Sequence, residues 1–246
     1  MLKIRASALG AVMSEPKSID PALLVGEYKK LNASRPKDDE AKAAKEAALR
    51  PLIDRTLSAG AKTFVENEAK QFVYGYRPHF SSRETDKGTI VEGQSIELYN
   101  SVFFTDHRKN TERRTNEWIT GEPDIVCLRS RKIKDIKSSW SLATFPAIRS
   151  QGESSLYEWQ LRAYMMLWPD EVDGAELAYC MVSTPDELIG YEPESLHLVE
   201  EIDPMLRITR LSFVRDLEKE DLIKTKCAAA QAYYELVIEQ ITQEHA

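Results

Sequence analysis

Two short apolar runs, Ile125–Leu128 and Ile133–Ser138, are joined by the polar tetrapeptide Arg129–Lys132 (RSRK) and carry charges where packing needs none. Pro123-Asp124 heads the first run, and Asp135-Ile136-Lys137 lies inside the second. Two such runs with a short polar link predict an antiparallel hairpin. Alternate residues of a strand share a face, so Asp135 and Lys137 point one way and Ile136 the other. In this hairpin Asp124 approaches Asp135. Close carboxylates repel, which raises one pKa unless a cation lies between them. Charges within a sheet are costly unless paired or bound to a metal.

A divalent ion resolves that cost. Magnesium takes oxygen ligands and keeps several waters, so two carboxylates suffice to hold it. It polarises a phosphoryl oxygen and acidifies water, and a neighbouring ammonium stabilises charge on the phosphate. Asp124, Asp135 and Lys137 together suit phosphodiester hydrolysis. A third carboxylate is expected from the segment before the hairpin, either Glu92 or Glu97. Gly88, four residues ahead of Glu92, reads as room for a close helix–strand approach and favours Glu92. Three carboxylates and one ammonium leave two negative charges, which one divalent ion neutralises.

The rest of the chain frames this hairpin. Residues 17–80 read as helical, with an exposed Ala/Lys/Glu helix at Asp38–Arg50 and another helical pattern at Ser58–Val73. Tyr76–Lys87 reads as a loop. Lys87–Phe104 shows helical spacing of Ile90, Val91, Ile96, Leu98 and Tyr99. Strands are expected at Glu117–Ile119, Ile125–Leu128, Ile133–Ser138, Leu177–Val182 and Arg207–Phe213. Ser154–Trp168 reads as an amphipathic helix and 216–243 as a long C-terminal one. The expected fold is α/β, a small mixed central sheet flanked by helices. Residues 1–86 form a helical N-terminal extension packed on a core of 87–246.

Several classes are disfavoured. The net charge of −7 argues against coating nucleic acid by bulk charge. It allows a local basic rim from His107, Arg108, Lys109, Arg113 and Arg114, and from Arg129, Arg131, Lys132 and Lys134. Such clusters contact phosphates, or they are solvated loops. Cys127, Cys180 and Cys227 are too few and too scattered for a disulfide, zinc or iron–sulfur framework. No apolar run reaches 18 residues, so no membrane association is expected. The Ala8–Met13 patch is too short for a signal peptide, and a cytoplasmic protein is expected. The four histidines, His79, His107, His197 and His245, show no ligand spacing. Trp140 and Phe145 stack on bases or pack, while Trp159 and Trp168 read as core.

The pattern Pro123-Asp124, ten residues, Asp135-Ile136-Lys137 resembles the PD-(D/E)XK nuclease superfamily. Gly88-x-x-x-Glu92 is similar to the helical first motif of its phage lambda exonuclease and YqaJ-like members. Gln160-Leu-Arg-Ala-Tyr164 resembles the Q-x-x-x-Y motif of the RecB-like group. The motifs stand in the family's order over about residues 88–183, and Leu2–Met13 resembles the start of phage-encoded members. The resemblance implies a restriction-endonuclease-like core. It implies Asp124 and Asp135 as ligands of Mg²⁺ (Mn²⁺ as substitute), Glu92 as accessory ligand and Lys137 as catalytic lysine. Gln160 and Tyr164 meet the DNA backbone or hold the lysine and water, and Arg129 and Arg131 join them as substrate contacts. The cluster cysteines of the iron–sulfur relatives are missing, which leaves the cluster-free phage type. The implied function is exonucleolytic digestion of double-stranded DNA ends in phage or prophage recombination or replication. A single-strand annealing protein is an expected partner. Ring formation by lambda-type members makes a homo-oligomer an expectation, with the 216–243 helix as candidate surface. The alternatives are a structure- or restriction-type DNA endonuclease and a non-catalytic nucleic-acid-binding module.

Overall fold

The computed structural model describes residues 1–79 and 81–245; Phe80, inside the loop expected over Tyr76–Lys87, lies outside the described residues, as does Ala246. In chain order the elements are β1 (Ile4–Arg5), α1 (Leu9–Val12), α2 (Gly26–Ala33), α3 (Asp39–Arg55), α4 (Ala59–Tyr74), α5 (Arg83–Ile90), α6 (Glu92–Phe103), β2 (Arg114–Thr115), β3 (Ile119–Gly121), β4 (Ile125–Cys127), β5 (Lys132–Ser138), α7 (Ser155–Leu167), β6 (Gly174–Cys180), α8 (Asp186–Ile189), β7 (Ile208–Val214) and α9 (Leu217–Glu244). They divide into two compact units. One comprises residues 1–4, 8–77 and 217–246; the other comprises 5–7 and 78–216. The architecture is the α/β one read from the sequence. Among the described residues no helix is long and apolar enough to cross a membrane.

The first unit is helical. α9 buries Ile223, Cys227, Ala230, Tyr234 and Val237, a spacing of alternating fours and threes that makes one stripe along a helix. α4 presents Ala61, Val65 and Ala69, and α4 and α9 pack together. Their small residues let the two backbones approach. Lys226 is buried in this unit, and its ammonium donates to Thr56 O at 2.6 Å and Ile53 O at 3.3 Å. These carbonyls close the C-terminal turn of α3, where a cation is favoured.

The second unit carries a four-stranded sheet in the order β4-β5-β6-β7. β4 and β5 pair antiparallel, β5 and β6 parallel, β6 and β7 antiparallel. The parallel pair needs a crossover, and α7 lies in it. α6 covers one face of the sheet. There Ile96, Leu98 and Tyr99 pack with Ile125, Ile136, Ala178 and Cys180. α7 packs on β3, β5 and β6 and buries Gln160 through Leu167. Its Arg162 pairs with Glu158 one turn back at 2.6 Å.

The helix expected over Lys87–Phe104 is two helices. α5 starts inside the expected loop, at Arg83, because Ser82 caps it by accepting from Thr85 N. The chain turns at Val91 (φ −100°, ψ 9°), and α6 begins at Glu92. Gly88 and Gly93 flank the turn and weaken a continuous helix there.

Candidate active site

The β4–β5 register builds the site. Ile125 pairs with Lys134, so one step further Asp124 stands across from Asp135. Opposed residues of an antiparallel pair share a face. Asp124 Oδ2 accepts from Ile136 N at 2.6 Å, so its carboxylate reaches across to β5 rather than closing a turn after Pro123. Asn110 ties the Pro123-Asp124 backbone in place. Its N–H donates to Asp124 O at 2.7 Å and its amide to Pro123 O at 3.1 Å.

Asp135 is only 1% exposed. Its Oδ1 accepts from Gln160 Nε2 at 3.1 Å, and the same amide donates to Tyr164 Oη at 3.0 Å. α7 thus brings Gln160 onto the carboxylate, with Tyr164 one turn behind it. Oδ2 of Asp135 is buried and pairs with Lys137 Nζ at 2.7 Å. The Lys137 ammonium is the counter-ion of this buried oxygen. Lys137 also lies 5.0 Å from the ring centre of Tyr157, a cation–π contact that keeps the ammonium near the acids.

The electrostatics follow from this packing. Burial first, and the charge of Asp135 second, push Asp124 up to about 7. Burial pulls the Lys137 ammonium down, but Asp135 and then Asp124 outweigh it and hold the group above the ordinary lysine value. Burial and the Asp135 charge lift Tyr164 to about 12. At neutral pH the site therefore holds a charged lysine, a neutral tyrosine and an aspartate poised to exchange a proton for a cation.

Glu92 stands at the first turn of α6 and pairs with Lys109. Its charge is the smallest contribution named at Asp124. Among the described residues no three His, Cys, Asp or Glu side chains stand together as an ion site. The fitting donor set is the pair Asp124 and Asp135. Glu97 is exposed. Gly88 does not serve a close approach, since a Cβ there would meet nothing within 4 Å. Arg129 and Arg131 lie in the turn between β4 and β5, beyond the Cys127–Lys132 pair and away from Asp135. Arg131 pairs with Asp173 at 2.8 Å. Lys134 is not on a basic rim. It faces the α6 side, buried, and donates to Tyr99 Oη at 2.8 Å and Glu176 Oε1 at 3.2 Å. Strand alternation alone separates Lys134 from Asp135.

Sequence reading missed Asn110, Tyr157 and Gly121, and it placed Lys109 on the basic rim without its pairing to Glu92. Tyr157 lies three residues before Gln160 and seven before Tyr164, so helical spacing could have found it. Gly121 is where β3 passes under Tyr164. A Cβ there would lie 2.8 Å from Tyr164 Cε1 and 3.0 Å from Ala6 Cβ. Gly121→Ala must displace the tyrosine that backs Gln160, at a cost of about 1–3 kcal/mol for overpacking. Gly88→Ala, meeting open space in a helix, should be neutral or mildly stabilising. Thermal unfolding of the two variants checks this, and equal effects would contradict it.

No protein-family model matches the sequence, and no curated protein matches it. Solved structures do. The chain is similar to a phage-related exonuclease from Haemophilus somnus 129PT, at 32% identity and TM-score 0.78, over 98% of this chain and 96% of that one. It also shares the fold of LHK-Exo, an alkaline exonuclease from Laribacter hongkongensis, at 12% identity and TM-score 0.62, over 99% and 93% of the two chains. That enzyme complexed with dAMP matches at TM-score 0.61 and 13% identity.

Proposed function

Because the chain belongs to the phage-related exonucleases and carries the PD-(D/E)XK pattern at Asp124, Asp135 and Lys137, we propose that it is a Mg²⁺-dependent exonuclease acting on double-stranded DNA ends. The observation that carries metal dependence is the opposed pair Asp124 and Asp135, two buried carboxylates whose mutual charge and burial raise Asp124 to about 7 even beside the Lys137 ammonium. Mg²⁺, when bound to this pair, supplies charge neutralisation and polarisation of the scissile phosphate.

The chain's own groups do the rest. Gln160 fixes Asp135 through Oδ1, while Oδ2 faces the Lys137 ammonium. The Ile136 N–H fixes one oxygen of Asp124. Lys137, charged and tethered to Asp135, orients attacking water and stabilises charge growing on the phosphate. Glu92, paired with Lys109, is the accessory carboxylate that reaches the ion directly or through water. Lys109 and its exposed chain neighbour Arg108 suit phosphate contact. A single-strand annealing protein as partner, a homo-oligomer and a role in phage recombination remain within the same proposal.

The deciding experiment is digestion of linear and covalently closed duplex DNA with Mg²⁺, with EDTA, and with Lys137→Ala. Loss of linear DNA alone, abolished by EDTA and by the substitution, supports the proposal. Cutting of closed circles favours the endonuclease reading. No Mg²⁺-dependent cleavage of either substrate favours a binding module.

The ion also competes with a proton. Asp124 must be ionised to hold Mg²⁺, and its proton leaves at about 7 in the ion-free protein. Below that pH the half-saturating Mg²⁺ concentration is expected to rise about tenfold per unit, and above it to level off. Mg²⁺ titrations of cleavage between about pH 5.5 and 8.5 check this; a flat profile would contradict the proton competition.

A further inference from the structure

Lys87 is the one side chain on α5 that is wholly buried, at 0% exposure. Its ammonium donates to three backbone carbonyls: Ser139 O at 2.6 Å, Trp140 O at 2.9 Å and Val182 O at 2.9 Å. An ammonium has three donors, so every N–H has a partner. Burying a charge is nonetheless costly, and an apolar side chain of similar size would avoid that cost. The position of the three carbonyls supplies a reason for the charge.

β5 and β6 run parallel, and their last ladder pair is Ser138 with Cys180. Ser139 N still donates to Cys180 O at 2.9 Å. Beyond that point the ladder ends, and the Trp140 and Val182 carbonyls have no partner on the opposite strand. The Lys87 ammonium takes over there. It binds both strand ends to α5, five residues before Glu92. Trp140 O also accepts from Thr184 Oγ1 at 3.0 Å, and the Trp140 indole donates to Glu192 at 3.1 Å. Lys137 lies two residues before Ser139, on the strand whose end this network pins.

We infer that Lys87 is a positioning residue: by clamping the ends of β5 and β6 it sets where the Lys137 ammonium stands relative to Asp135. The inference rests on the role of Lys137 given above. Lys87 touches neither the acids nor, on this geometry, the substrate. It acts through the backbone of residues 138–140, and a misplacement of about 1 Å in a catalytic group costs about 100-fold in rate.

The test uses the full chain with Lys87→Gln, which keeps two N–H donors without charge, and Lys87→Met, which keeps none. Folded fraction is read by circular dichroism and thermal unfolding, and kcat and KM are taken per folded molecule on linear duplex DNA. The expected result is a kcat lower by about 10–100-fold with KM for DNA and half-saturating Mg²⁺ nearly unchanged. Lys87→Met should be the worse of the two. ¹³Cε-lysine NMR, with the Lys137 signal identified by its loss in Lys137→Ala, should show that signal shifted in both variants. Lower melting temperature with unchanged kcat and an unmoved Lys137 signal would overturn the inference. So would failure of both variants to fold, since the ammonium would then serve the whole unit. If wild type itself does not cleave DNA, the proposed function fails, and Lys87 is judged on the Lys137 signal alone.

Discussion

Lys137→Ala is expected to lower kcat on linear duplex DNA by about 10²–10³-fold, the scale of losing one group that stabilises transition-state charge. KM for DNA should stay nearly constant, because one ammonium adds little to a long phosphate contact. The distinguishing expectation concerns the ion. Lys137 sits 2.7 Å from Asp135 Oδ2, so it competes electrostatically for the acids that Mg²⁺ needs. Its removal should tighten divalent-ion binding while activity falls. A merely structural lysine would weaken both together. Calorimetric titration of Mg²⁺ into wild type and variant separates the two. Weaker binding in the variant would assign Lys137 to holding the site rather than to the chemistry. Ion-free Lys137→Ala should also be less stable, since Asp135 loses its cation, and Mg²⁺ should restore much of that loss.

How much of this was visible in the sequence depends on the range of each interaction. The hairpin was legible because strand alternation and the RSRK link are local, and the Asp124–Asp135 opposition followed from register. Gln160 and Tyr164 were singled out by their resemblance to the Q-x-x-x-Y motif, and their four-residue spacing put them on one helix face. Lys87 was not. Its three acceptors are carbonyls 52, 53 and 95 residues away, and backbone acceptors carry no residue signature. The break at Val91 was missed because neither proline nor a strong cap marks it, yet it sets Glu92 at a helix start. Lys134 was misread for a related reason. Composition placed it with Arg129, Arg131 and Lys132, while its partners Tyr99 and Glu176 come from α6 and β6. α9 was legible as a helix from its length, but its packing with α4 needed the structure.

Asp124→Asn should separate stability from function. The amide oxygen can still accept from Ile136 N, so the local bond survives while the charge goes. Cleavage is expected to fall by at least about 10³-fold, as when one member of an interdependent catalytic set is removed. In EDTA at pH 8 the variant should nevertheless be the more stable protein, by roughly 1–3 kcal/mol. The sign follows from the raised pKa. Asp124 rises from 3.8 to about 7 on folding, so folded protein binds the extra proton in that interval. Ion-free wild type therefore loses stability as pH climbs through that interval, and the asparagine variant does not. The gap between them should close near pH 3, below the ordinary value of 3.8, where wild-type Asp124 is neutral in both states. Saturating Mg²⁺ at pH 8 should reverse the order, because the ion stabilises only the chain that binds it. Chemical denaturation at the two pH values, with and without Mg²⁺, tests all three expectations. A variant less stable than wild type in EDTA at pH 8 would mean that the two carboxylates do not repel in the ion-free site. The pair would then be an ordinary hydrogen-bonded structure, and the case for an ion between them would lose its physical ground.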